Sequence, residues 1–95
     1  MKFYWTLREL YGGGEMKKIS ERTLTKAADA QAERFASNLF EFRNAMELSQ
    51  DKLARLAGID RKTVNRIENG HFSPSLETIT RLANALNCTV IKLVK

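Results

Sequence analysis

An all-α domain is what this sequence predicts, on three observations. Apolar residues Ala28, Ala32, Phe35, Leu39, Phe42 and Met46 recur at alternating steps of four and three, one stripe of a long helix. Ser49, Asp60 and Ser75 stand where short polar side chains cap helix starts. Gly58 and Asn69-Gly70 interrupt the pattern, so the second half is cut into short helices.

The chain's 95 residues suffice for one domain and not two. Hydrophobic residues at 43% and charged residues at 28% are ordinary for a globular protein. The net charge of +5 leans toward a polyanionic or acidic partner. Cys88 is the single cysteine and His71 the single histidine, which excludes an internal disulfide and a cysteine-based metal site. No run is long and apolar enough to span a bilayer, and the start lacks a signal-peptide core. A cytoplasmic protein is expected.

Residues 1–15 carry an aromatic patch, Phe3-Tyr4-Trp5, and close on Gly12-Gly13-Gly14. Three glycines do not hold a helix, so a boundary falls there. Codons for Gly-Gly-Gly-Glu can contain a ribosome-binding sequence. Residues 1–15 are therefore either an N-terminal arm or upstream sequence read through to a start at Met16. Residues 16–38 read as a helical extension, with Thr23 or Ser20 as its cap. The stripe allows one helix packed on its own domain or a coiled-coil seam.

Ser49 opens a helix with Gln50 and Asp51 in its first turn, and Leu53, Ala54 and Ala57 form its inner side. Gly58 sits where the chain needs a left-handed residue. Asp60 caps the next helix, whose inner face is Val64 and Ile67 and whose end is Asn69-Gly70. Ser75 caps a further helix with Leu76, Ile79, Leu82, Ala83 and Leu86 inward, ending at Asn87. The tail changes character. Thr89, Val90, Ile91 and Val94 are β-branched, no cap residue is evident, and the segment reads as a strand. Pairing of Val90–Val94 with its copy in a second chain would cover the open edge.

Helix, glycine-containing turn, helix is the order of a helix-turn-helix. With Val64 and Ile67 inward, Arg61, Lys62, Asn65, Arg66 and Asn69 face outward. Arginine and lysine donate to guanine N7 and O6, and asparagine pairs with adenine. From Leu48 to Gly70 there are five cations, Lys52, Arg55, Arg61, Lys62 and Arg66, against Asp51, Asp60 and Glu68. The bland alternative is a solvated charged face on a helical bundle.

The stretch "LSQDKLARLAGIDRKTVNRIENGHFSPSLETITRLANAL" resembles the Cro/C1-type (XRE) helix-turn-helix proteins. The resemblance covers residues 39–93 and implies a five-helix, lambda-repressor-like DNA-binding domain. It implies phosphate contacts from Ser49 and Gln50, with Gln50 also reaching toward bases. Base reading falls to Arg61, Lys62 and Arg66, and phosphate contact to Asn69 and the following loop. The implied DNA-binding set is Ser49, Gln50, Arg61, Lys62, Thr63, Asn65, Arg66, Asn69 and His71. It also implies an ion pair of Arg43 with Glu68. Two departures stand out. Glu47 occupies the place of a glycine common in the family, and the tail is strand-like where the family has a fifth helix. Such a tail resembles antitoxin repressors.

The expected function is sequence-specific binding of double-stranded operator DNA by a homodimer that represses transcription. The alternative is an antitoxin that binds a toxin protein and its own promoter. A more distant rival is an adaptor that binds only protein. No catalytic constellation, cofactor or metal site is expected. Cys88 reads as a structural thiol rather than a redox switch.

Overall fold

The structure is a computed structural model that describes residues 20–70 and 72–95. The expectations for residues 1–15, the start at Met16 and the role of His71 lie outside the described residues. Among the described residues there are five helices and no strand. They are α1 (Glu21–Ala45), α2 (Gln50–Ala57), α3 (Arg61–Glu68), α4 (Leu76–Ala85) and α5 (Val90–Val94).

Each helix begins where a hydroxyl or carboxylate accepts an orphan backbone N–H. Ser20 accepts from the Thr23 amide, Ser49 from Lys52, Asp60 from Lys62, Ser75 from Thr78 and Thr89 from Lys92. Three helices end in one motif. The Leu48, Ile59 and Cys88 amides donate five residues back, to Arg43, Ala54 and Ala83. The residue before each is left-handed, Glu47 at φ 56, Gly58 at φ 71 and Asn87 at φ 54. This is the Schellman closure, which favours glycine and tolerates asparagine. Glu47 has neither advantage, so the turn lacking the family's glycine keeps its geometry at a cost in backbone strain.

One core joins all five helices. Leu39, Leu53, Val64, Ile67, Leu82 and Leu93 are fully buried, one from each helix and two from α3. Burial of each such side chain contributes roughly 1.5–3 kcal/mol. Helix α1 packs on α3 and α5, α2 on α3 and α4, and α4 on α5. The C-terminal half of α1 supplies Phe35, Ala36, Leu39 and Arg43 to the interior, while residues 21–31 are exposed. The stripe is therefore used within the domain from Phe35 onward. Ala28 and Met46, at its two ends, are exposed.

Two expectations are corrected. Leu76, expected inward, is 72% exposed, because the first turn of α4 projects past the core that Leu82, Ala83 and Leu86 enter. Val90–Val94 is a helix and not a strand. Alternation would have placed Val90, Lys92 and Val94 on one face, with a lysine among apolar groups. Helical spacing instead turns Val90, Leu93 and Val94 toward the core and leaves Ile91 and Lys92 in solvent. Thr89 caps this helix, its hydroxyl accepting from the Lys92 amide. The last carbonyls are met by α1, where the Asn38 amide donates to Leu93 O (2.9 Å) and Gln31 to Val94 O (3.2 Å). The tail thus has a partner in its own chain, and the motive for an intermolecular strand disappears.

Candidate nucleic-acid interface

Helices α2 and α3 are separated by three residues, Gly58, Ile59 and Asp60. The left-handed Gly58 ends α2, Ile59 packs against the core, and Asp60 starts α3. A side chain at 58 would be strained at this φ, and its Cβ would lie 3.0 Å from the Arg81 guanidinium. Leu53, Ala54 and Ala57 of α2 meet Val64 and Ile67 of α3 in the interior. That contact fixes which way α3 faces.

Its outward side carries Arg61, Lys62, Asn65 and Arg66, all exposed and lining one shallow groove. Thr63 is half-buried, and Asn69, the residue that caps the C-terminus of α3, is exposed. Among the described residues the ion pairs are Arg43–Glu68, Arg55–Asp51 and Arg81–Glu77. Arg55, one of the five cations in the motif, therefore has an acid on its own helix. Arg61, Lys62 and Arg66 have no such partner there. The groove offers three cations and an amide, with no carboxylate among its lining residues. Such a surface suits phosphates and the acceptor-rich edge of guanine. Ser49 is exposed at the start of α2, where its oxygen accepts from the Lys52 amide. Gln50, beside it, is half-buried.

Glu68 lies on the same helix but points inward. Its two oxygens take Arg43 Nε at 2.7 Å and Nη2 at 3.0 Å, and the side chains are 5% and 11% exposed. Arg43 Nη1 also donates to Leu48 O at 2.7 Å, tying α1 to the joint before α2. The Arg43 guanidinium lies 5.4 Å from the Phe40 ring centroid, within cation–π range. The hydrogen bond to Glu68 raises the Arg43 pKa further above its usual range; burial opposes this and the carboxylate charge reinforces it. No buried side-chain polar atom among the described residues lacks a partner. A paired, fully bonded charge is the form in which burial is tolerated.

The motif pattern alone does not reveal that Gln50 Nε2 donates to Glu68 Oε1 at 3.1 Å. The two residues are 18 apart in sequence, and only the packing of α2 on α3 brings them together. Among the described residues, no group of three or more His, Cys, Asp or Glu side chains could hold a metal ion. No described helix is long and apolar enough to cross a membrane.

Two capped helices joined through a left-handed glycine, the second with an outward donor face, define a helix-turn-helix DNA-binding module. The chain belongs to the helix-turn-helix family HTH_3, which it matches over residues 39–93. It is similar to control protein C.SmaI of Serratia marcescens, at 37% identity over 59 residues, 62% of this chain and 70% of that protein. Among solved structures it is similar to the restriction-modification controller protein C.AhdI from Aeromonas hydrophila. The identity there is 41% and the TM-score 0.65, over 67% of this chain and 97% of the other. It is also similar to the hypothetical transcription factor NHTF from Neisseria. That identity is 29% and the TM-score 0.67, over 72% and 78% of the two chains. The chain is a DNA-binding transcriptional regulator.

Proposed function

We propose that this protein represses transcription as a homodimer that reads an operator with α3 and occludes a promoter. The observation that carries this reading is the donor face of Arg61, Lys62, Asn65 and Arg66, held outward by the buried Val64 and Ile67. Ser49 and Asn69, with His71 beyond, set the register on phosphates, and residues 39–93 act as the DNA-binding unit. The work is done in the cytoplasm, without a cofactor or a catalytic step. Similarity to two control proteins, one a restriction-modification controller, supports a stand-alone regulator over an antitoxin. Loss of the strand-like tail removes the antitoxin reading's main motive.

The test is binding of Arg61→Ala, Lys62→Ala and Arg66→Ala to a selected operator and to random DNA across a salt series. A base-reading arginine should cost about 1–3 kcal/mol on the operator and relax one base position. Removing a phosphate-binding lysine should weaken binding to both DNAs alike and lower the salt slope by about one unit per chain. Half-sites should lie about 34 Å apart. Equal losses on both DNAs for all three residues would leave only a nonspecific basic face.

A further inference from the structure

The buried ion pair does not end at Glu68. Glu68 Oε1, already bonded to Arg43, also accepts from Gln50 Nε2 at 3.1 Å. A carboxylate has only acceptors to offer, so Gln50 must present its NH2 group there. Its carbonyl oxygen then points the other way, to Asn65, whose Nδ2 donates to Gln50 Oε1 at 3.2 Å. Asn65 Oδ1 in turn accepts from Asn69 Nδ2 at 3.1 Å. Amide orientation in such a row is ambiguous when nothing charged terminates it. Here the charged end is nearly buried and fixes each amide after it.

Asn65 is exposed in the α3 groove between the cations. An asparagine amide has two N–H groups and two lone pairs. The row uses one of each and leaves one of each. A free donor beside a free acceptor matches the adenine edge in the major groove, N7 as acceptor and the N6 amino group as donor. Without the Gln50 contact the amide could turn over and lose that preference.

We propose that Glu68, acting through Gln50, orients the Asn65 amide so that Asn65 reads an adenine, which makes Gln50 and Glu68 positioning residues for base selection. This rests on α3 being the DNA-reading helix. Gln50 therefore acts on sequence preference as well as on any phosphate it touches.

The experiment selects bound sites from random DNA with the parent chain, Gln50→Met, Asn65→Ala and the double variant, and follows melting of each. Methionine keeps the length of Gln50 and removes both hydrogen bonds of its side-chain amide, to Glu68 and from Asn65. The parent should select adenine at one position of each half-site. Asn65→Ala should erase that preference, by about 5- to 150-fold. Gln50→Met should relax the same position and leave the bases facing Arg61 and Arg66 selected. The double variant should relax it no further than Asn65→Ala. If Gln50→Met weakens all sites evenly, Gln50 is a phosphate contact and the positioning role is wrong. If Asn65→Ala leaves every position as in the parent, Asn65 reads no base and the proposal falls. A loss of selection that follows a lowered melting temperature in Gln50→Met also overturns it, in favour of a structural role. A parent that selects no sequence at all sinks the DNA-reading function itself. That result is distinct from all the others.

Discussion

Helix α3 shows solvent Arg61, Lys62, Asn65 and Arg66 and buries Val64 and Ile67, whereas α5 shows solvent Ile91 and Lys92 and buries Leu93. Both are short, both start at a capping oxygen, and both send residues three apart into the core. Helix α3 is held by two apolar anchors, by neighbours on both sides and by the Glu68–Arg43 pair. Helix α5 is held by Leu93, by its partly buried neighbours Val90 and Val94, and by two carbonyl contacts from α1. A helix of five residues does not form on its own propensity, so tertiary contacts decide its state. An outward face can be assigned from sequence only where the inward face is anchored strongly enough to set the rotation.

The largest effect should come from the anchor of α3. Glu68→Ala and Arg43→Ala each leave an unpaired buried charge and should lower stability by about 3–5 kcal/mol. Urea unfolding measures it, and parent-like midpoints for both would show that the pair does not anchor α3. On the α5 side, Leu93→Ala should cost about 2–5 kcal/mol, while Ile91→Ala, at a side chain 70% exposed, should stay within about 0.5 kcal/mol. A strand would put residues 91 and 93 on one face, so equal losses would restore it.

A smaller loss, about 1 kcal/mol, is expected for Thr89→Ala, which removes the cap. Thermal melting checks it, and no change would show that α5 is held by packing alone. Glu47→Gly should act in the opposite direction. It relieves a left-handed glutamate at the joint leading to α2 and α3 and should stabilise by about 0.5–1 kcal/mol, net of the entropy glycine loses on folding.

The smallest effect concerns Cys88, in the turn that launches α5. Burial pushes its thiol above the usual 9.0, against the pull of Lys92. The folded chain thus holds this proton more tightly than the unfolded one. The associated stability is present below pH 9.0 and is lost as pH rises through the raised value. Thiol modification near pH 8 should be slower than for an unburied cysteine, and an equal rate would place Cys88 in solvent.

The sequence by itself determined the caps at Ser49, Asp60 and Ser75 and the left-handed turn at Gly58. It also determined the inward pair Val64 and Ile67, because each depends on chemistry within a few residues. With those set, the exposure of Arg61, Lys62 and Arg66 follows from helical period alone. The Arg43–Glu68 contact is legible only through the family resemblance, since nothing local ties residues 25 apart. Only the tertiary structure decided the rest. Thr89–Val94 carries β-branched residues that favour a strand, but Asn38 and Gln31 of α1 supply partners for its carbonyls and the core takes Leu93. Leu76 continues the α4 stripe yet faces solvent, because an apolar side chain is buried only where another element reaches it. The bond from Gln50 to Glu68 exists because α2 lies across α3, and hydrogen-bond partners 18 residues apart are set by that packing rather than by their spacing.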